Sequence, residues 1–164
     1  MPSHSRLAIF AGAALVPATA AGAYAAGAAH HAAAQTTRAV LAQAVDPTGA
    51  HGRTLALSRV VIPPHTRLGL HRHPGTQIAY IQKGTLTYTV KTGSVSVYRG
   101  AGDQNPTVVR RVTAGHTGKV NTGEWVIERP QTVHFGANQG DRPVDILLAT
   151  LFTNGSPPSI AVPR

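Results

Sequence analysis

The sequence predicts an all-β protein that closes into a jelly roll, and three observations lead to this prediction. Short segments rich in Val, Ile, Leu, Thr and Tyr recur from residue 53 onward, with turn residues between them. Gly and Pro are frequent, at 17 and 12 of 164 residues, whereas charged residues make up only 13%. No segment of this region has the apolar periodicity of a helix of normal length. About eight to ten short strands at such a spacing are typical of sandwiches and barrels.

The individual strands are predicted from apolar runs that end at turn residues. Leu86, Tyr88 and Val90 alternate with threonines, which is the pattern of a half-buried strand, and Thr92-Gly93 indicates a hairpin turn after it. The run with the highest apolar content is the last one, residues 144–152. The other predicted strands are 55–62, 68–73, 77–82, 94–99, 108–112, 119–121 and 124–127.

The first 29 residues differ in composition from the rest and are predicted to be a secretory signal peptide. Arg6 precedes a long uncharged run that is dominated by Ala and Gly and contains small-residue cleavage sites. The apolar core, residues 7–16, is shorter than the roughly 20 residues that a bilayer span needs. A disordered leader or an uncleaved anchor is the alternative. We expect a secreted or extracytoplasmic protein with no stable membrane insertion after cleavage.

The remaining chain is predicted to contain one folded domain. We assign residues 30–50 to a linker with a short helical turn around Thr37 to Ala44, residues 51–153 to the domain, and residues 154–164 to a C-terminal tail. The absence of Cys excludes disulfides and thiolate chemistry. The net charge of +9 comes from scattered Lys and Arg residues, whereas nucleic-acid binders concentrate them. We therefore expect no nucleic-acid partner and a weak general preference for anions.

Four side chains from two distant segments form a predicted metal site. His71, His73 and Gln77 belong to LGLHRHPGTQIAYIQKG, and His134 belongs to RPQTVHFGAN. On a strand, side chains alternate between faces, so His71 and His73 point the same way. Imidazole nitrogens are common ligands of transition metals. The pattern predicts a divalent ion, which could be Fe, Mn, Cu, Ni or Zn, with open positions that are typical of a catalytic site.

These two segments resemble the two sequence motifs of the cupin superfamily. The first motif has a His-x-His pair, an acidic residue four positions later and a Gly seven positions after that, matched by His71, His73, Gln77 and Gly84. The second motif has a Gly, a Pro, a metal-binding His and an Asn, matched with irregular spacing by Gly123, Pro130, His134 and Asn138. The resemblance covers about residues 51 to 153. It implies a double-stranded β-helix, the cupin barrel.

Two departures from the family motifs affect the predicted site. His65 stands where the family has a Gly six positions before the His pair, and Gln77 stands in place of the acidic ligand. Gln77 offers only a neutral carbonyl oxygen to a metal, so the charge of a divalent ion would be less compensated. Either Gln77 coordinates through this oxygen, or it does not contact the metal and the site has three imidazoles.

Further residues are candidates for catalysis and for the substrate pocket. Glu124 and Glu128 are the only glutamates, and Glu128 could reach the barrel mouth as a general base. The alternative for Glu128 is a surface carboxylate that pairs with a neighbouring arginine. Tyr80, Tyr88 and Phe135 are predicted to line a substrate pocket.

The resemblance implies a metal-dependent oxidoreductase, of the dioxygenase type, that acts on a small organic molecule. Lyases and isomerases are less favoured activities of the same fold, because a fold does not determine a function. The alternative is a non-catalytic extracytoplasmic module that binds a small ligand or a metal. Cupins commonly pair edge strands, so a homodimer is compatible with the resemblance.

Overall fold

The computed structural model describes residues 35–163, and every regular element in this part of the chain is a β-strand. The predicted signal peptide lies outside the described residues. The thirteen strands are β1 (Thr37–Val45), β2 (Arg53–Ile62), β3 (Thr66–Arg67), β4 (His71–Arg72), β5 (Thr76–Lys83), β6 (Thr85–Thr92), β7 (Ser94–Arg99), β8 (Thr107–Thr113), β9 (Thr117–Asn121), β10 (Glu124–Glu128), β11 (Val133–Asn138), β12 (Val144–Thr153) and β13 (Ile160–Ala161).

The strands form two antiparallel sheets around one apolar core. The larger sheet has the order β1-β2-β12-β5-β10-β7-β8, and the smaller sheet has the order β13-β4-β11-β6-β9, with β3 also paired to β11. Inward-facing side chains of both sheets make up the core cluster: Val60, Ile62, Ala79, Ile81, Leu86, Tyr88, Val90, Val95, Val97, Val112, Val120, Val126, Val144, Ile146 and Leu148. The prediction of an all-β jelly-roll barrel is confirmed.

Strand periodicity explains which side chains enter the core. On β5, Ala79 and Ile81 are buried, whereas Ile78 and Tyr80 between them are each 41% exposed on the outer face. Successive side chains on a strand point to opposite faces, so this alternation places one set inside the barrel and the other outside. The inward set also contains Gln77, which brings a polar group into the interior.

The prediction that residues 30–50 are a linker and residues 154–164 a loose tail is wrong in part, because each segment contributes a strand. Residues 37–45 form β1, which pairs along its length with β2, and the helical turn expected around Thr37 to Ala44 is absent. Every residue of β1 is exposed, so the strand is held by backbone pairing and carries no alternating pattern in its sequence. In the tail, Ile160 and Ala161 form β13 and pair with β4.

Among residues 35–163, no helix is long and apolar enough to cross a membrane.

Candidate metal centre

The three predicted histidines converge at one point inside the barrel. His71 on β4 lies opposite His134 on β11 in the sheet register, and His73 follows directly after β4. The ring centroids of His71 and His134 are 4.5 Å apart, and those of His71 and His73 are 5.0 Å apart. One ring nitrogen from each of the three histidines lies within 4.8 Å of the others. The structure therefore brings together a triad that could hold a metal ion.

Backbone carbonyls determine the tautomer of each imidazole. His71 Nδ1 lies 2.8 Å from the carbonyl oxygen of Gly69, His73 Nδ1 lies 2.9 Å from that of Pro158, and His134 Nδ1 lies 3.3 Å from that of Thr132. A carbonyl oxygen can only accept, so each Nδ1 carries the hydrogen and donates it. In the neutral ring, Nε2 then has the lone pair, which is the form of imidazole that binds metals.

Glu128 lies in this site. A surface position, which is usual for a charged side chain, was the alternative, and the structure does not show it. Its side chain is buried because β10 pairs with β5 and places Glu128 opposite Gln77. One carboxylate oxygen is 3.3 Å from His73 Nε2, and the other is 3.2 Å from His134 Nε2. The site thus contains a carboxylate, but it comes from the strand next to the one that carries the matching motif position.

Glu128 and His134 each shift the pKa of the other. Burial favours the neutral form of Glu128, but the charges and hydrogen bonds of His134 and His73 hold the pKa of its carboxyl well below the usual range. Burial opposes protonation of His134, yet the carboxylate of Glu128 raises the pKa of that imidazole. Burial lowers the pKa of His71, and positive charge on the neighbouring rings lowers it further. The carboxylate of Glu128 is therefore ionised, and it requires positive charge beside it.

Gln77 contacts Glu128 through its amide nitrogen. Nε2 of Gln77 donates to a carboxylate oxygen of Glu128 at 2.5 Å and lies 3.3 Å from Nε2 of His73. The opposite orientation of the amide would place its oxygen against the carboxylate, which is unfavourable. The carbonyl oxygen Oε1 is buried and has no hydrogen-bond partner within residues 35–163. Gln77 thus positions Glu128 and presents one free acceptor.

Tyr88 completes the polar cluster. Its hydroxyl donates to the other carboxylate oxygen of Glu128 at 2.8 Å, and its ring stacks on His134 with centroids 4.8 Å apart. Burial raises the pKa of the Tyr88 hydroxyl, and the charge of Glu128 raises it further. The phenol keeps its proton and helps to hold both the carboxylate and the third imidazole in place.

A cavity of about 340 Å³ opens next to the imidazoles. Its walls are mainly apolar, and the predicted pocket residue Tyr88 lies among them. The prediction is wrong for the other two aromatic residues. Tyr80 belongs to the outward set of β5, and Phe135 lies on the other face of β11 from His134, where the guanidinium of Arg67 sits 3.8 Å from its ring centroid.

Other positions of the two motifs have structural roles. Asn138 is buried, and its Nδ2 lies within 3.0 Å of the carbonyl oxygens of Ile62, Pro63 and Arg142, so it joins the ends of three segments. Gly84 has a φ of 82°, which glycine adopts without strain. His65 keeps the left-handed conformation with a φ of 53° at the position where the family has a glycine.

One signal for Glu128 was present in the sequence. Glu124, Val126 and Glu128 alternate along β10, and burial of the central valine requires both carboxylates to face inward as well. Glu124 is compensated by Arg99 and Arg110, each at 2.6 Å, whereas the arginine alternative fails for Glu128. A buried carboxylate without a salt bridge to Lys or Arg indicates a functional site.

The donor set fits a divalent transition metal. Three neutral imidazole nitrogens offer lone pairs to one point, and the carboxylate of Glu128 contacts two of these nitrogens. If the rings are neutral, their lone pairs face the carboxylate at 3.2 and 3.3 Å, and this repulsion is relieved by protons on the rings or by a cation between the groups. Imidazole and carboxylate ligands suit several first-row metals.

Solved structures with the same architecture have low sequence identity to this chain. A cupin 2 domain-containing protein from Halorhodospira halophila is 13% identical with a TM-score of 0.50, and the match covers 76% of this chain and 68% of that chain. The DMSP lyase DddQ from Ruegeria pomeroyi is 17% identical with a TM-score of 0.51, over 78% of this chain and 52% of DddQ. This chain thus matches about half the length of DddQ.

A third structure is the polyketide cyclase RemF from Streptomyces resistomycificus. It is 18% identical with a TM-score of 0.50, and the match covers 79% of this chain and 72% of RemF. No family model matches the sequence, and no curated protein matches it. At these identities the likeness establishes the fold, which is the one that the two motifs imply.

Proposed function

We propose that this chain, which has the cupin fold, is a metal-dependent oxidoreductase of the dioxygenase type that acts on a small organic molecule. His71, His73 and His134 would hold the metal, and Glu128 would supply the carboxylate of the centre. One observation carries this proposal: the carboxylate of Glu128 faces Nε2 of His73 and His134 at 3.3 and 3.2 Å, inside the barrel. A cation between these electron-rich groups would stabilise this arrangement.

A metal ion accounts for the site better than protons do. Two protons on His73 and His134 would neutralise their contacts with Glu128 but would not explain why a ring nitrogen of His71 lies within 4.8 Å of theirs. One divalent ion would satisfy the three nitrogens and the carboxylate together. A site of three histidines alone would leave the charge of a divalent ion uncompensated. Glu128 would supply one negative charge, which Gln77 cannot supply.

The surrounding residues suit chemistry on a small molecule. A redox-active metal of this kind, when bound, would supply electron transfer to dioxygen. Apolar side chains such as Leu86, Ile146 and Leu148 line the cavity and suit an apolar part of a substrate. Tyr88 keeps a proton on its hydroxyl beside Glu128, and Gln77 orients the same carboxylate from the other side.

A metal-assisted lyase is the second candidate, and the pair formed by Glu128 and Tyr88 favours it. The hydroxyl hydrogen bond of 2.8 Å links an ionised carboxylate to a protonated phenol next to the imidazoles. Such a pair could take up and return a proton without a change in oxidation state. Two structures with this fold are named as a lyase and a cyclase, so the fold accommodates reactions of several classes.

Elemental analysis tests the metal centre. Tag-free protein, purified without chelators, should contain close to one equivalent of Fe, Mn, Cu, Ni or Zn. His71→Ala and His134→Ala should lose the metal and keep the far-ultraviolet circular dichroism of a β protein. His116→Ala is the matched control, because His116 is exposed and lies outside the site. If no metal binds under any reconstitution, or if the triad variants retain it, the proposal is wrong.

Dioxygen uptake separates the candidate functions. An oxidoreductase should consume dioxygen during turnover of a small organic molecule, and a lyase should turn over its substrate without dioxygen. A protein that holds metal and ligand but converts neither would be the non-catalytic module. We also propose that the protein is exported and that it forms a homodimer. Amino-terminal sequencing of the exported protein tests the first, and light scattering tests the second.

A further inference from the structure

A second set of polar groups lines the cavity and comes from the N-terminal segment. Thr36 and Arg38 both belong to the cavity wall, together with parts of the apolar core. Arg38 lies opposite Val60 in the pairing of β1 with β2, and Val60 lines the cavity as well. Residues that are directly opposite in a sheet share a face, so the side chain of Arg38 is on the inward side of β1. Thr36 is two residues earlier on the extended chain.

The charge of Arg38 is not compensated within residues 35–163. Its only side-chain hydrogen bond there runs from Nη2 to the hydroxyl of Ser58 at 3.2 Å, and no ion pair involves it. A guanidinium has five N–H donors, and a neutral hydroxyl satisfies one of them. Among the described residues that line the cavity, Arg38 is also the only Lys or Arg. A cation at the cavity wall with unused donors is suited to an anion from outside the protein.

Two buried side-chain oxygens that lack partners belong to the same cavity. Within residues 35–163, the buried side-chain polar atoms with no hydrogen-bond partner are Thr36 Oγ1 and Gln77 Oε1. Both residues are part of the cavity wall. Buried polar atoms in native proteins are almost always satisfied, so the Thr36 hydroxyl indicates an acceptor on a ligand, whereas the Gln77 oxygen needs a donor or a cation.

We infer that Thr36 and Arg38 bind the carboxylate of a small organic acid whose apolar body fills the cavity. The fork of a guanidinium matches a carboxylate in a bidentate geometry, and the hydroxyl of Thr36 adds a donor beside it. The apolar walls match an apolar body, and a volume of about 340 Å³ admits only a small molecule. A small organic acid would then be the substrate of the proposed enzyme. That it is converted rests on the proposed function, whereas its binding does not.

Binding of simple monocarboxylates to metal-free protein tests the inference. Acetate, hexanoate and benzoate are titrated into chelator-treated protein by isothermal calorimetry, with benzamide as the neutral counterpart of benzoate. Removing the metal separates this subsite from any carboxylate that a metal would bind. We expect at least one acid to bind at least tenfold more tightly to the wild type than to Arg38→Met. Thr36→Val should weaken binding several-fold, and Arg38→Lys should weaken it less than Arg38→Met does.

The control is Arg111→Met, which makes the same change of charge at an exposed arginine outside the cavity. It should bind the acids as the wild type does, and thermal unfolding should show that Arg38→Met is folded. The inference is overturned if no acid binds the wild type, if benzamide binds as well as benzoate, or if Arg38→Met binds unchanged. Metal content, measured on the untreated variants, should be unaffected by Arg38→Met, so failure here is distinguishable from failure of the metal centre.

Discussion

Gln77 and Glu128 lie opposite each other on β5 and β10, and the buried carboxylate of the site depends on this pairing. The motif position holds an amide, and the carboxylate stands opposite to it on β10. The amide nitrogen of Gln77 and the hydroxyl of Tyr88 each donate to one oxygen of the carboxylate, so its orientation is held from two sides. The negative charge of the site thus comes from Glu128, and Gln77 helps to orient it.

Replacing the carboxylate should weaken metal binding. We expect Glu128→Gln to reduce metal affinity by roughly 10- to 100-fold, because an oriented carboxylate beside metal-binding imidazoles contributes about this much. Competition with a chromophoric chelator measures the change. Asp103→Asn removes the same charge from an exposed loop and should leave the affinity unchanged. Equal affinities in Glu128→Gln and the wild type would show that the carboxylate does not support the metal.

At the scale of elements, the turn between His73 and Gln77 depends on the close packing of Gly75 against β12. A Cβ at Gly75 would lie 2.2 Å from the carbonyl oxygen of Leu151 and 2.9 Å from the ring of Phe152. The start of β5 therefore packs directly on the backbone of β12. Any side chain at position 75 would push the two strands apart and move both His73 and Gln77.

We expect Gly75→Ala to destabilise the fold by about 1–3 kcal/mol, the range for overpacking a tight contact. Unfolding in urea measures the loss. Gly102→Ala is the control, because its Cβ would meet nothing closer than 4.0 Å and its φ is not in the left-handed region. A stability for Gly75→Ala within about 0.5 kcal/mol of the wild type would mean that the contact relaxes at little cost.

Glu124 ties three elements together in a way that depends on pH. Burial favours its neutral form, but the N–H of Asn121 and the guanidinium groups of Arg110 and Arg99 together lower the pKa of Glu124 to about 2. Its ordinary value is 4.5. The folded state therefore resists protonation of this carboxyl, and the stabilisation is fully present above pH 4.5 and is lost as the pH falls toward 2.

Glu124→Gln should destabilise the fold by roughly 1–3 kcal/mol at pH 7, because it removes the charge from the hydrogen bonds that Arg99 and Arg110 make to this buried side chain. The difference from the wild type should shrink as the pH falls below 4.5, since only the wild type takes up a proton there. Urea unfolding at pH 7, 4 and 3 measures both quantities. A difference that stays constant over this range would show that the ion pairs do not shift the carboxyl.

At the scale of the whole molecule, metal binding should be linked to stability. A metal that binds only the folded state stabilises it by about 2.7 kcal/mol at a free concentration of 100 times Kd. For a domain of this size the melting temperature should then rise by roughly 5–15 °C. Calorimetry with and without chelator measures this rise. His71→Ala should melt at one temperature in both conditions, and an unchanged wild type would contradict a metal held in the barrel.

Local patterns in the sequence were sufficient for much of the architecture. The two-residue period of strands predicts most of the element positions and directs His71 and His73 to one side, because alternation of side chains is a property of each strand alone. The same period could have placed Tyr80 outside, since Gln77, Ala79 and Ile81 already occupy the inward face of β5. The error at Tyr80 came from its aromatic character and not from an ambiguous pattern.

Contacts between distant strands required the folded chain. The register of β5 against β10 joins Gln77 to Glu128 across 51 residues, and the pairing of β1 with β2 brings Arg38 to the cavity from a segment without alternation. Nothing in either segment specifies its partner, because backbone pairing is the same for every residue type and the register follows from how the whole barrel closes. The residues themselves therefore predict a β barrel with three inward histidines, whereas the carboxylate beside them and the cation in the cavity wall follow from the closure of the sheets.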